Sequence, residues 1–225
     1  MTIDFKIKLN SKLYLKDPDS SDIGKAIITH AIKLISEIGY ENFTFKKLAN
    51  QMPSTEATIY RYFENKHMLL FYLIDWYWAF LRYQILYNIN NLGSAEDKIR
   101  KCIDLLVWED NTDLVSSDID FKALYYIAIS ESSKTYLSKE VDEHNKEKLY
   151  MPYKELCELL ATLFKAYNPN YKYANSLAST VVEASHFQYY FMQHLPRLCD
   201  FAVKKDPKEI ELFLENLIFS ALRID

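Results

Sequence analysis

The stretch "TEATIYRYFENK", Thr55–Lys66, crowds aromatic rings and positive charges into one short segment. Ile59 and Phe63 stand one helical turn apart, so both can face inward. Arg61 can contact phosphate or the edge of a guanine. Lys66 lies in the first turn of the following helix, where unpaired backbone N–H groups already favour an anion. One side of the segment therefore suits a small core, and the other suits a polyanion.

A second short helix precedes this stretch. Thr44 can cap it, and Thr55 can cap the next one after the break at Met52–Ser54. Helices near 44–51 and 55–63, separated by about three residues, have the spacing of a helix-turn-helix, whose second helix enters the major groove. On that geometry five side chains point outward or sideways: Glu56, Ala57, Thr58, Arg61 and Tyr62.

Tyr60 lies one residue away from the buried stripe, so its ring can pack while its hydroxyl reaches a phosphate. Simple core packing is the alternative for Tyr60 and Tyr62. For Lys46 and Lys47, a solvated helix face is as consistent with the sequence as a phosphate contact.

The rest of the 225-residue chain reads as helical. Three glycines and six prolines are few breakers for this length. Helical periods begin at Ser21, and Gly39 suits a left-handed cap at the end of the first helix. The helix that starts at Asn65 and runs to about Asn90 is apolar on nearly all sides, so it must be buried. Pro152 should kink or end a helix over the residues before it.

The fold prediction is therefore all-α, with one exception at the N-terminus. Residues 1–16 alternate apolar and polar side chains around a turn pair, which predicts a short β-hairpin arm. We divide the chain into an arm at 1–20, a three-helix helix-turn-helix DNA-binding domain at 21–66, and a helical-bundle body for ligand binding and dimerisation at 67–225.

Charge is unevenly distributed along the chain. The net charge is −4, with +2 over residues 1–66 and −6 over the remainder. A mildly basic head on an acidic body is compatible with nucleic-acid binding. The arm carries Lys6, Lys8, Lys12 and Lys16. We expect its apolar face to dock on its own domain while these lysines protect an exposed edge, although they could instead reach DNA.

Several classes of protein are disfavoured. The most apolar run, Met68–Leu86, is broken by Asp75, Arg82 and Gln84, so no membrane span or membrane partner is expected. The N-terminus shows no secretion signal, which favours the cytoplasm. Three separated cysteines indicate neither a disulfide framework nor a metal site. Motifs of phosphate loops, nucleophile elbows and zinc proteases are missing, so we expect neither an enzyme nor a cofactor.

A longer stretch, Ile28–Leu70, resembles the DNA-binding domain of the TetR family of bacterial transcriptional regulators. The matching features are Ala31 in the first helix, "GY" after it, Thr44 opening the second helix, "LA" within it, and "TIYRYFENKHMLL". The resemblance implies an all-helical homodimer with a three-helix head and a body that often holds a small molecule. It implies a repressor of operator DNA that an effector releases.

The same resemblance implies roles for individual residues. Thr44 contacts phosphate, Thr55 caps the recognition helix, and Tyr60 and Lys66 hold the DNA backbone. Glu56, Ala57 and Thr58 face the bases. The chain departs from the family at Pro53, where glycine is usual, so the turn must be shaped differently. Glu56 is also unusual, because it repels phosphate while it can accept from cytosine.

The body offers two further sets of candidates. An apolar or amphipathic effector could meet these side chains: Trp76, Trp108, Tyr125, Tyr126, Tyr153, Glu183, His186 and Tyr190. Core packing is the alternative for each aromatic residue, and a satisfied buried pair is the alternative for Glu183 and His186. The last two long helices suit a two-fold dimer interface, with these residues: Ala174, Ala178, Ser185, Ile210, Phe213, Leu214, Leu217, Ile218 and Ala221. A helical ligand-binding or interaction protein whose head no longer binds DNA is the alternative function.

Overall fold

The computed structural model describes residues 7–107 and 119–223. Every regular element over those residues is helical, as the sequence predicts. The helices are α1 Asp22–Ile38, α2 Phe45–Ala49, α3 Glu56–Tyr60, α4 Lys66–Ile89, α5 Ala95–Leu106, α6 Phe121–Glu131, α7 Ser133–Tyr136, α8 Val141–Lys146, α9 Met151–Tyr167, α10 Ala174–His194 and α11 Pro207–Ala221.

The chain forms two compact units. The first comprises residues 1–78 and 112–151, and the second comprises residues 79–111 and 152–225. Helix α4 therefore supplies its first half to one unit and its second half to the other. In the first unit α1 packs against α6, and in the second α11 packs against α5 and α10.

The predicted β-hairpin is wrong for the part of the arm that the structure describes. Residues 7–16 contain no strand, and Ser11–Leu13 form a 3₁₀ turn capped by the Asn10 side chain. The Asn10 amide also donates to the backbone oxygen of Glu147 over 2.8 Å. Residues 1–6 of the predicted hairpin lie outside the described residues. The apolar alternation still buries one face, because Ile7, Leu9 and Leu13 all pack inside the first unit.

Two glycines are required by the backbone of the first unit. A Cβ on Gly24 would stand 2.2 Å from the carbonyl oxygen of Pro18, so only glycine lets the Pro18–Ser20 turn lie against α1. Gly39 follows α1 with φ 75° and ψ 154°. The predicted positive φ is confirmed, but this ψ differs from the left-handed helical value near 47°.

Pro152 begins a helix where the sequence predicted that it would end or kink one. Helix α8 has already ended at Lys146, and Pro152 is the second residue of α9. A proline in the first turn costs little, because its missing N–H would have no partner within the helix.

Helix α4 is enclosed on most sides, as its apolar sequence predicts. Its buried side chains include two polar ones, Asp75 and Gln84. Over the described residues, no helix is long and apolar enough to cross a membrane.

Candidate nucleic-acid interface

Both short helices of the predicted motif begin at the predicted caps. The Thr44 side chain accepts from the backbone N–H of Lys47 over 3.2 Å, and Thr55 accepts from that of Thr58 over 3.3 Å. Each cap satisfies one backbone donor that a helix start leaves unpaired. Below them lies a core of Phe45, Leu48, Ile59 and Phe63, all buried. Helices of five residues depend on such caps and such a core, because short isolated helices are marginal in water.

Pro53 fits the turn between α2 and α3. The backbone N–H of Ser54 donates to the oxygen of Met52 over 2.7 Å, which closes a three-residue turn around the proline. An inverse γ-turn needs a central φ near −75°, close to the value that a proline ring imposes. None of the described residues in this turn has a positive φ. The turn is thus shaped without the conformation that would require glycine.

The side chains of α3, and of Arg61 directly after it, differ in their exposure to solvent. Ala57 and Arg61 are exposed, and Glu56 and Thr58 are partly exposed. Tyr60 is 48% exposed, and its ring packs edge-on against Phe45 with centroids 4.9 Å apart. The ring is therefore supported on one side, and nearly half of the side chain is open to solvent.

The two lysines of α2 differ in their surroundings. Both are exposed. The Lys47 ammonium donates to the backbone oxygen of Asn42 over 2.8 Å, which ties it to the loop before α2. Lys46 projects from the neighbouring position without that tie, so it is the better candidate for a phosphate.

Lys66 is not placed as the resemblance implies. Its ammonium donates to the backbone oxygens of Tyr40, Glu41 and Phe43 over 3.2, 3.3 and 3.2 Å. It also lies 4.6 Å from the centre of the Tyr40 ring. An ammonium has three donors, and all three are used. Lys66 therefore clamps the loop that leads into α2 and is a poor candidate for a phosphate ligand.

Tyr62 is buried, although the sequence predicts that it points outward or sideways. Its side chain is 2% exposed, and its hydroxyl lies 2.7 Å from that of Ser21. The N-terminal arm runs over it, because the backbone N–H of Leu15 donates to the Tyr62 oxygen over 2.8 Å. The ammonium of Lys16 lies 5.0 Å from the ring centre. Tyr62 supports the arm, and it does not present a surface to bases.

Tyr40 and Lys134 belong to this region but were not among the predicted site residues. The Lys134 ammonium lies 5.3 Å from the Tyr40 ring centre and pairs with the carboxylates of Glu41 and Glu131. Tyr40 thus lies near the ammonium groups of both Lys66 and Lys134. Burial raises the pKa of Tyr40 to about 12, and Lys134 opposes that rise. The "GY" pair of the sequence includes Tyr40, but no residue near it in the sequence indicates that Lys134 on α7 lies beside its ring.

The predicted effector residues are distributed over both units. Trp76, Tyr125 and Tyr126 lie in the first, and Tyr153, Glu183, His186 and Tyr190 lie in the second. Trp108 lies outside the described residues. Trp76 and Tyr125 are buried, whereas Tyr126 and Tyr190 are partly open to solvent.

On α10, Glu183 has a hydrogen-bond partner on the neighbouring helix α9. It accepts from the hydroxyl of Tyr153 over 2.7 Å. His186 is buried, which lowers its pKa to about 3 and keeps its ring neutral at physiological pH. A groove of about 460 Å³ between α9 and α10 includes Tyr153 but none of the other predicted effector residues. Among the described residues, no group of three or more His, Cys, Asp or Glu side chains could hold a metal ion.

Six of the nine predicted dimer residues are buried within the single chain: Ala174, Ala178, Ser185, Ile210, Leu214 and Ile218. They cannot meet a second copy, because α10 and α11 use them to pack inside the second unit. Phe213 and Ala221 are exposed and Leu217 partly so. Phe187 and Tyr190 of α10 are exposed as well.

Comparison with known proteins agrees with the head described above. Residues 27–73 match the profile of the family described as bacterial regulatory proteins, tetR family. No curated protein sequence shows significant similarity to the chain.

Solved structures share the fold over nearly the whole chain. AibR, in complex with isovaleryl coenzyme A and operator DNA, aligns with a TM-score of 0.61 at 16% identity, over 87% of this chain and 97% of that one. The fatty acid degradation regulator FadR from Bacillus halodurans aligns with a TM-score of 0.60 at 16% identity, over 89% and 96%. A regulator from Saccharomonospora viridis in complex with choline aligns with a TM-score of 0.61 at 14% identity, over 88% and 96%. At these identities the similarity establishes the fold alone.

Proposed function

We propose that the chain is a homodimeric repressor that binds operator DNA and is released by a small molecule, because its residues 27–73 match the profile of the bacterial tetR family of regulatory proteins. It acts in the cytoplasm, where operator DNA lies. We keep residues 21–66 as the DNA-binding domain and residues 67–225 as the body for effector binding and dimerisation. DNA binding follows from the family, and the sign of regulation and the release mechanism are our inference.

The observation that carries the proposal is the outer surface of α3. A buried core of Ile59 and Phe63 holds the helix, and a proline-shaped turn sets its start. Ala57 and Thr58 leave room near base edges, while Tyr60 and Arg61 supply a hydroxyl and a guanidinium for the backbone or for guanine. Glu56 restricts the sequences that fit, because a carboxylate accepts from cytosine and repels phosphate.

A second copy of the chain is needed to read two half-sites, which lie roughly 34–36 Å apart on one face of the duplex. The exposed part of the predicted interface supports this partner. Phe213, Leu217 and Ala221 succeed one another at near-helical spacing on α11, and Phe187 adds an exposed ring on α10. An isologous pairing would cover the same patch on both subunits.

The effector is proposed only by class, as an apolar or amphipathic molecule. The coenzyme A thioester and the choline bound by the structural relatives differ too much in chemistry for the fold to identify it. Ligand binding regulates DNA affinity only through a difference in affinity between two conformations. The high aromatic content of the body, including Trp76 and Tyr125, favours an apolar rather than a strongly polar effector.

The proposal is tested by titrating duplexes that tile the DNA flanking the gene, with scrambled duplexes of the same composition as controls. We expect one segment to bind far more tightly than its scrambled form, with affinity falling steeply as salt rises. Equal affinity for all duplexes together with a shallow salt dependence would refute DNA recognition. That result would favour the alternative of a helical ligand-binding protein with an inactive head.

A further inference from the structure

The N-terminal arm is fixed to the end of the recognition helix. Its apolar residues Leu9 and Leu13 are buried in the first unit. The Lys12 ammonium pairs with the Glu147 carboxylate over 2.7 Å, which ties the middle of the arm to the residues after α8. The backbone bond from Leu15 to Tyr62, 2.8 Å long, fixes the last part of the arm two residues beyond α3.

This arrangement places the arm where a DNA-facing side chain was expected. Helical spacing turned Tyr62 towards the same side as Arg61, yet the arm covers the tyrosine ring. The exposed Lys16 lies over that ring, with its ammonium 5.0 Å from the ring centre. The Lys16 ammonium also lies within hydrogen-bonding reach of the Tyr62 hydroxyl, and the charges of Lys16 and Arg61 both act on that hydroxyl. Two cations therefore flank the point at which the recognition helix ends.

Lys16 and Lys12 differ in their ionic contacts. The ion pairs found among the described residues do not include Lys16, whereas Lys12 on the same arm is paired. The Asp17 carboxylate accepts from the backbone N–H of Asp19 over 2.9 Å. Burial raises the pKa of Tyr14 and of Tyr72, and the charges of Asp17 and Asp19 add to that rise.

We propose that Lys16 binds a DNA phosphate, so that the arm extends the interface beyond the helix-turn-helix. The proposal rests on the proposed function, since it needs a head that binds DNA. Tyr62 then has an indirect role, because its ring and backbone oxygen hold the arm in place. Arg61 and Lys16 together bind phosphates of the DNA backbone beside the end of α3, while the start of α3 contacts base edges.

The test is the salt dependence of duplex binding by Lys16→Met, measured by fluorescence anisotropy between about 50 and 200 mM salt. Each lost phosphate contact lowers the slope of log affinity against log salt by about 0.9, so a dimer should lose about 1.8. When salt rises fourfold, the affinity of the wild type should fall by a factor about 12 times larger than the factor by which the affinity of the variant falls. The matched control is Lys165→Met, which removes an equal charge from the exposed surface of α9, outside the arm and the helix-turn-helix, and should leave the slope unchanged.

The outcomes separate this proposal from the function on which it rests. A wild-type protein that binds no duplex would refute the proposed function itself. If the wild type binds with a steep slope and Lys16→Met keeps that slope, Lys16 binds no phosphate. A loss of affinity that is equal at every salt concentration would also refute it, because it would mean that Lys16 acts only by packing the arm. Lys16→Arg should retain the wild-type slope.

Discussion

Replacing Lys66 with methionine should lower stability and leave the salt dependence of DNA binding unchanged. Methionine keeps the apolar stem but removes the ammonium that binds three backbone oxygens and the Tyr40 ring. Hydrogen bonds to a charged group are worth about 1.5–3 kcal/mol each. Lys66 is only partly buried, so solvent weakens its three bonds and their total is less than the sum of three such values. We therefore expect a loss of about 2–4 kcal/mol. For a chain of this size that lowers the melting temperature by roughly 4–16 °C.

The assay pairs calorimetry with anisotropy titrations between about 50 and 200 mM salt, well below the melting temperature. If Lys66 held a phosphate, the dimer would lose about 1.8 units of salt slope. If it clamps the loop, the slope stays at the wild-type value while the melting temperature falls. Lys165→Met, which removes an exposed positive charge from α9, is the control for net charge. An unchanged melting temperature with a slope lower by almost two units would refute the clamp.

Three other outcomes are expected. Tyr60→Phe should weaken binding similarly on every duplex, because the hydroxyl meets the backbone, whereas Thr58→Ala should change which sequences bind; a competition titration with mixed duplexes distinguishes the two. Leu217→Glu should give monomers with weak operator binding and intact helices, which sedimentation and circular dichroism can show; a variant that stays dimeric would place the interface elsewhere. Asp75→Asn should raise the free energy of unfolding by an amount that grows as pH increases. Burial raises the pKa of Asp75 well above its usual range, so the folded protein keeps a proton that the unfolded chain releases above about pH 4, and wild-type stability falls as pH rises. Urea unfolding of both proteins at pH 4 and pH 7 measures this; a constant difference would contradict it.

Features decided by neighbouring residues could be predicted from the sequence. The caps at Thr44 and Thr55 each join a side chain to the backbone N–H three residues later. The inward positions of Ile59 and Phe63 depend on helical period alone. The outward position of Tyr60 was predictable for the same reason. Each follows from local geometry that no distant part of the chain overrides.

Features decided by distant partners could not be predicted in this way. Tyr62 stands on the expected face, but the arm that covers it comes from Leu15 and Lys16, more than forty residues earlier. Lys66 binds backbone oxygens, which every residue carries and no motif marks. A helical wheel gives the direction of a side chain, and it does not say whether solvent, DNA or another segment occupies that direction.

The same limit explains why most residues of the predicted dimer interface are buried within the single chain. Small and branched side chains on α10 and α11 are a requirement for any close helix packing, within one chain or between two. Ala178 and Leu214 meet that requirement inside the second unit. A second copy can contact only the residues that the internal packing leaves at the surface, such as Phe213 and Leu217. A charge at Leu217 therefore tests association, whereas a charge at Ala178 would test only whether the protomer folds.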